Sequence, residues 1–258
     1  MSTTLVFLYN NLLDSATLTA SSAATGFPAA NLKNPFRTKY WKTAGQTAGT
    51  AQLVIDHGAA KAVDAIALTG YPDWLAAPGT LQVEFNATDA WGAPSATETL
   101  TWKAPTTPGG NKGTIIKKLA AALTYRYNRL SVVNAPGDWN LGRLFVGTYF
   151  EPARTYAYGY GEDVVDPSLI SQTIGGQDHA DEIERYRIMR ASGIILTQAQ
   201  WVLYQAMINA VGTRKELFVA FDYTDDVAER TLYGKFSKVP TISRPYLFEY
   251  DFEFTEAR

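Results

Sequence analysis

Two histidines are the scarcest groups in this sequence that suit acid–base or metal chemistry, and the chain contains no cysteine. The lack of cysteine excludes disulfides, thiolate catalysis and cysteine-based zinc sites. His57 ends a predicted strand and is interpreted as a turn residue. His179 stands with Asp178, Asp181 and Glu182, whose oxygens suit a hard cation beside the imidazole. We expect this acidic segment to be solvated, and we predict no metal site and no cofactor.

The motifs of the common enzyme classes are missing. The sequence has no Gly-x-Ser-x-Gly nucleophile elbow, no Gly-x-Gly-x-x-Gly and no Walker A pattern. Neither histidine has a second histidine four residues away, which excludes a zinc-hydrolase helix. The sequence therefore predicts a protein that is not an enzyme.

Tryptophans are the candidates for binding a sugar, because an indole ring can stack on the apolar face of a pyranose. The candidates are Trp41, Trp74 and Trp91, all in the first part of the chain. The alternative is that these rings pack in the core or at a subunit interface, where aromatic residues are enriched.

Length and composition limit the kind of protein. The chain has 258 residues, with 46% hydrophobic and 19% charged residues, which indicates one large domain or two modest ones with a packed core. The net charge of -2 argues against sequence-specific nucleic-acid binding, which usually needs a basic surface. No apolar run approaches the ~20 residues of a membrane span. The N-terminus lacks the basic and apolar regions of a secretory signal.

Residues 1–151 read as short strands separated by glycine, proline and asparagine, with no clear helix. The strongest strand is 144–150, which is rich in β-branched and aromatic residues and ends before Pro152. We interpret it as the strand that closes the first domain and leads into the second. The fold class is therefore mainly β, with an N-terminal β-sandwich or jelly roll.

Residues 152–258 predict a smaller α+β domain with one main helix. Thr197 and Gln200 form a capping-box pattern, and Gly212 supplies a stop after about residue 211. The final strand, 246–254, alternates aromatic residues with Glu249, Asp251 and Glu253. One face of that strand belongs in a core, and the carboxylates form a row on the other.

Several residues of the second half are candidates for contacts between subunits. Alternation places Arg185 and Arg187 on one side of a strand, where they are either solvated or face an acidic neighbour. The carboxylate row of the last strand is the matching partner, within or between subunits. The connector after Pro152 is rich in tyrosine, a residue enriched at interfaces. The tyrosines concerned are Tyr156, Tyr158 and Tyr160.

The first 150 residues resemble discoidin-like, galactose-binding-like jelly rolls. The resemblance is carried by an ordered series that includes Phe-Pro-Ala-Ala-Asn-Leu, Gln-Leu-Val-Ile-Asp-His-Gly, Tyr-Asn-Arg-Leu-Ser-Val and Leu-Gly-Arg-Leu-Phe-Val-Gly. The chain lacks the cysteine pair that often joins the ends of secreted members. The resemblance implies a sandwich whose loops hold a sugar.

Residues 144–258 resemble the tail-tip proteins of tailed bacteriophages, including distal tail proteins. The motifs are Leu-Phe-Val-Gly, Ile-Gly-Gly, an arginine-rich strand, one helix, Tyr-Gly-Lys-Phe and Tyr-Leu-Phe-Glu-Tyr-Asp-Phe-Glu-Phe. Distal tail proteins usually place the ring-forming domain first, whereas here the sandwich comes first.

The resemblance implies a structural virion protein of the tail tip or baseplate. We expect a ring, with sixfold symmetry, that joins the tail tube to the hub or fibres, with the tape measure as a further partner. The protein would be made in the cytoplasm of a bacterial host and end in the virion. The alternative is a carbohydrate-binding accessory module that aids attachment to a host surface glycan.

Overall fold

A computed structural model describes most of the chain. The ranges are residues 4–45, 50–71, 74, 77–103, 113–135, 137–153, 160–172, 176–223, 230–239, 241–243 and 248–257, with only the backbone described for 241–243, 248 and 249.

The architecture is mainly β, with one α-helix among the described residues, which confirms the predicted fold class. Two short 3-10 helices, Leu12–Ser15 and Ala29–Lys33, and the helix α1 (Gln198–Val211) interrupt the strands. The strands are β1 (Val6–Asn11), β2 (Thr17–Ala20), β3 (Trp41–Lys42), β4 (Ala51–Thr69), β5 (Thr80–Asn86), β6 (Ala96–Leu100), β7 (Ile115–Val133), β8 (Asn140–Leu141), β9 (Arg143–Phe150), β10 (Tyr160–Val165), β11 (Leu169–Gln172), β12 (Asp178–Asp181), β13 (Tyr186–Leu196), β14 (Leu217–Ala220), β15 (Thr231–Phe236), β16 (Thr241–Ser243) and β17 (Phe248–Glu256).

One antiparallel sheet runs through both halves of the chain. Its strand order is β10-β13-β17-β15-β14-β1-β9-β4-β7-β5-β6, with β16 added beside β17 and β2 beside β4. The pairs β11–β12 and β3–β8 stand apart from this sheet. Strands of the first half therefore occupy one end of the order and strands of the second half the other.

Strand β4 is long, although the sequence predicts short strands in this half; residues 51–58 and 62–69 form two apolar runs within it. The two runs belong to one strand that pairs with β7 on both sides of an irregularity. Asp56 stands opposite Tyr127 and Lys61 opposite Tyr125, so residues 57–60 face a single residue of β7. A wide bulge of this kind lets a strand bend without ending. The glycine and alanine residues that looked like a turn supply the bulge.

Strand β1 joins the two halves, a role that the sequence suggested for residues 144–150. That predicted strand is present as β9, between β1 and β4. On its other edge β1 pairs with β14, so that Leu8 stands opposite Phe218. Leu5 and Phe7 pack in the core of the second half. The boundary between residues 151 and 152 stays a prediction, and the chain before it contributes side chains to both cores.

Helix α1 begins and ends where the sequence predicts. The Gln200 backbone N–H donates to Thr197 Oγ1 at 3.3 Å, and the Thr197 N–H donates to Gln200 Oε1 at 3.2 Å, completing the capping box. Gly212 follows at φ 54°, a left-handed value that favours glycine. The buried stripe consists of Trp201, Tyr204, Met207 and Val211. Tyr204 of this stripe packs on Tyr250 of β17, with ring centroids 4.2 Å apart. Phe252 and Phe254 of the same strand are buried in the same core, as predicted for its aromatic face.

Candidate functional site

Trp41 and Trp74 are core residues, which corrects the prediction that they stack on a sugar. Trp41 is fully buried on β3, and Trp74 is 6% exposed. Both rings pack around Trp139, with ring centroids 5.6 and 5.5 Å from it. Trp41 Nε1 donates to the Ser22 carbonyl at 2.9 Å, and Trp74 Nε1 donates to Asn140. Because neither ring presents a face to solvent, neither can stack on a ligand.

Trp91 is the one candidate of the three that lies at the surface. It is half-exposed in the loop after β5, and its Nε1 donates to Asp89 Oδ1 at 2.6 Å. The Arg129 guanidinium lies 4.7 Å from the ring centroid and donates from Nε to Glu84 Oε2 at 2.6 Å. This cation–π contact fixes one side of the ring.

A second aromatic–arginine pair lies on the same side of β7, because Tyr127 and Arg129 are two residues apart. The Arg126 guanidinium is 4.8 Å from the Tyr127 ring. It makes a two-pronged ion pair with Asp56, at 2.8 and 2.9 Å. This ion pair, with the Gly58 N–H, lowers the pKa of Asp56 to about 2.

Together these residues form what we name the aromatic–arginine face. Its members are Asp56, Trp91, Arg126, Tyr127 and Arg129. Half-exposed rings beside fixed charged groups are the combination that sugar hydroxyls and pyranose rings require. The alternating run from Tyr125 to Arg129 was the sequence signal for this face, and it was interpreted only as a strand.

The two histidines differ in burial: His57 is partly buried against a neighbouring strand, whereas His179 lies at the surface. His57 Nε2 contacts Asn128 Oδ1, and burial lowers the pKa of the imidazole. His179 is exposed on β12, with Nε2 3.3 Å from Asp181 Oδ1. Within the described ranges, no three histidine, aspartate or glutamate side chains are grouped to hold a metal ion.

Arg187 is buried, which corrects its assignment to an interface. It is 1% exposed, and its Nη2 donates to Glu256 Oε1 at 2.9 Å and to the Thr231 carbonyl at 3.3 Å. The alternation of β13 was predicted correctly, but Arg187 shares its side with buried Met189 and Ala191. That apolar continuation was the signal that this side faces inward.

The carboxylate row of β17 has a partner that the sequence interpretation missed. Arg190 Nε donates to Glu253 Oε2 at 2.7 Å, and Arg190 also pairs with Asp163. Asp251 accepts a hydrogen bond from the Gly193 N–H at 2.9 Å. Arg185, the other predicted arginine, is exposed and pairs with Asp166 at 2.8 Å. These charges are therefore largely matched within one copy.

The remaining interface candidates are only partly described. Tyr160 is half-buried, with its ring 5.8 Å from Phe221 and under the Arg230 guanidinium. Tyr156 and Tyr158 lie outside the described residues. Glu249 is paired through its backbone with Ile195 and Ser243, and its side chain is likewise outside the description.

An exposed hairpin is the first unpartnered feature of the second half. It consists of β11 and β12, and all residues of both strands are exposed. Leu169 is 63% and Ile170 75% exposed. An isolated two-stranded hairpin is at best marginally stable in water, so this element gains from packing on something else.

The outer side of helix α1 is the second such feature. The sequence from Gln198 to Val211 contains no charged residue, although one side of the helix faces solvent. Val202 is 60% and Leu203 54% exposed there. A surface helix normally carries charges on that side. Here the exposed positions are Val202, Leu203 and three alanines, together with the uncharged amides Gln198, Gln205 and Asn209.

A groove of about 420 Å³ runs beside this outer face. It is lined by Gln200 and Leu203 of the helix and by residues 149–153. Gln200 holds helix α1 against the segment 149–153. Its Nε2 donates to the Glu151 carbonyl and its Oε1 accepts from the Ala153 N–H, each at 2.9 Å. The side chain of Glu151 pairs with Lys118, which neutralises the acid in the groove. We call this surface, together with Val202, the helix groove.

No protein-family model matches the chain, and no curated protein matches it. Several solved structures are similar. The chitosan-binding module 1 from a chitosanase/glucanase of Paenibacillus sp. IK-5 is 21% identical and covers 54% of this chain and 100% of its own, with a TM-score of 0.42. The family 32 carbohydrate-binding module of C. perfringens NanJ, in complex with galactose, is 16% identical over 56% of this chain and 98% of its own, with a TM-score of 0.42.

A fucose-binding module of Streptococcus pneumoniae is 11% identical and covers 54% of this chain and 95% of its own, with a TM-score of 0.43. These three structures are carbohydrate-binding modules, and none is a phage tail protein. Among the described helical residues, no helix is long and apolar enough to cross a membrane.

Proposed function

We propose that this protein is a structural subunit that associates with further copies of itself. The observation that carries the proposal is the uncharged outer face of helix α1, with Val202 and Leu203 exposed. Burying such a face contributes roughly 25 cal/mol per Å² of apolar surface. The exposed hairpin adds a second apolar surface on the same half. Neither surface is covered within one copy.

The continuous sheet suits a subunit that must hold a fixed position. Because β1 pairs with both β9 and β14, the first half cannot swing on a flexible linker relative to the strands of the second. Gly147 allows this close approach, since a Cβ there would lie 2.5 Å from the Asn10 carbonyl oxygen. A rigid connection between the halves would hold a partner bound to one half at a fixed position relative to subunits bound to the other half.

The assembly that we propose is the ring of a phage tail tip, in line with the resemblance of residues 144–258 to tail-tip proteins. The subunit would then lie between the tail tube and the hub or fibres of the virion, in a sixfold ring. This placement rests on the sequence resemblance, whereas the self-association rests on the exposed apolar surfaces.

Native mass spectrometry of the purified chain over a concentration series tests self-association. We expect oligomers that are lost in the double variant Val202→Glu with Leu203→Glu, because two carboxylates cannot be buried unpaired. The matched control adds the same charges at exposed positions of the first half, Thr97→Glu with Thr99→Glu, and should assemble normally. A wild-type chain that stays monomeric at millimolar concentration contradicts the proposal.

The second candidate function is carbohydrate binding by the first half. The aromatic–arginine face carries it, since the likeness to sugar-binding modules is too distant to transfer a binding site. The half-exposed Trp91 would stack on a sugar ring, and the ion-paired Arg126 and Asp56 would bond to its hydroxyls.

A glycan array followed by calorimetry on the full chain tests this second candidate. Trp91→Ala should abolish binding, whereas Phe36→Ala removes an aromatic ring that is 59% exposed elsewhere on the first half and should not. Equal binding by the wild type and Trp91→Ala, or no binding to any glycan, would overturn it.

A further inference from the structure

We infer that the exposed hairpin of one copy seats in the helix groove of the next copy. The inference rests on the proposed self-association and names the two surfaces that meet. Both surfaces are exposed in a single copy, so they do not cover one another within it. A contact between two different surfaces is heterologous, and its repetition yields a closed ring or an open filament rather than a two-fold dimer.

One side of the hairpin is the better match to the exposed apolar residues of the helix groove. Ile170 pairs with Ala180, so their side chains lie together on one side. Leu169 points to the other side, where its cross-strand neighbour is Asp181. The Ile170 side is therefore the one that would contact Val202 and Leu203.

The dimensions of the two surfaces agree. A four-residue strand such as β11 is roughly 13 Å long, at about 3.3 Å per residue. The 14-residue helix α1 is roughly 21 Å long, at 1.5 Å per residue. The hairpin can therefore lie along the helix.

Charge distinguishes another copy of this chain from an unrelated apolar partner. On the Ile170 side of the hairpin, β12 carries Asp178, and Glu182 follows the strand; both are exposed. From Gln198 to Lys215 the only charged residues are Arg214 and Lys215, both exposed just beyond the helix. The two surfaces thus have opposite sign, which favours their association and fixes its direction.

The absence of native cysteine allows a direct test by disulfide cross-linking. Ile170→Cys and Leu203→Cys are made as separate variants, mixed and oxidised. A disulfide needs Cα atoms about 4–7 Å apart, so it reports contact of the two positions. We expect a cross-linked dimer as the main product of the mixture and none from either variant alone.

Two control variants show whether the cross-link is specific to the Ile170 side of the hairpin. Leu169→Cys, on the opposite side of the hairpin, and Thr97→Cys, on the first half, should each give little cross-link with Leu203→Cys. Equal melting temperatures of the reduced variants and the wild type verify folding.

Two results would overturn the inference and leave self-association standing. One is a cross-link formed by Ile170→Cys alone, which indicates a hairpin-to-hairpin dimer. The other is oligomers without the mixed cross-link. Monomers under all conditions, without any cross-link, overturn the proposed function itself.

Discussion

Among the described residues, the first half exposes one large apolar side chain, Phe36, whereas the second half exposes seven. Trp41, Trp74 and Trp139 pack together in the first core. In the second half, the core is also aromatic, but Ile170, Val202 and Leu203 remain exposed. The difference is the reason for placing the proposed self-association in the second half.

In the second half, buried charged residues and exposed charged residues have different surroundings. The Arg187–Glu256 pair is buried and holds β13 to β17, whereas the charges of the hairpin and of the segment after α1 are exposed. Internal charges should therefore affect folding, and exposed ones should affect assembly. Substitutions can separate the two effects.

The largest effect is expected at Arg187. Arg187→Met leaves the Glu256 carboxylate buried without its partner, and we expect a loss of about 3–5 kcal/mol in the free energy of unfolding. The double variant Arg187→Met with Glu256→Leu should recover most of it. Chemical denaturation measures both. If Arg187→Met changes assembly but not stability, the arginine belongs to an interface, and the division between folding charges and assembly charges is wrong.

An intermediate effect is expected from exposed charges. Asp178→Lys or Arg214→Glu alone should weaken self-association by roughly 1 kcal/mol, because each places like charges together. The two changes combined should restore it, and stability should be unchanged in all three. Sedimentation over a concentration series provides the measurement. Failure of the pair to compensate would place the two residues at different contacts.

The smallest effect is expected at the junction between the halves, where Glu216 lines a cleft of about 490 Å³. Burial raises the pKa of Glu216, and one of its oxygens is buried without a hydrogen-bond partner among the described residues. A carboxyl whose pKa is raised by folding contributes stability at low pH that is lost as the pH rises through the folded-state pKa.

Glu216→Gln removes that ionisation. The variant should match the wild type below the usual carboxyl pKa and be more stable than it at neutral pH. Unfolding free energies at a series of pH values provide the measurement, with Glu182→Gln on the exposed hairpin as the control. A stability difference that does not grow with pH would show that Glu216 is solvated.

Local features were predictable from the sequence. The capping box at Thr197 and the alternation of β17 are set by neighbouring residues, and both are present. The role of β1 was not predictable, because its pairing with β14 joins residues about 210 positions apart, from Leu8 to Phe218. Nothing in a short apolar strand specifies which two strands it will lie between.

The candidate sites were predicted less well, because residue type does not fix burial. Trp41 and Arg187 were chosen for their chemistry, and both are buried. Arg190 was missed although it lies on the same strand as Arg187. Only the alternation of β13, with Met189 and Ala191 on the buried side, shows that Arg190 is on the exposed side. The bounds of helix α1 were predicted, but its uncharged outer face was not recognised as a surface for association.

Single-particle electron microscopy of the concentrated wild-type chain tests self-association most directly. We expect cyclic particles in which the hairpin of each copy lies on helix α1 of its neighbour. Monomers alone, or assemblies in which Val202 and Leu203 of every copy still face solvent, would contradict it.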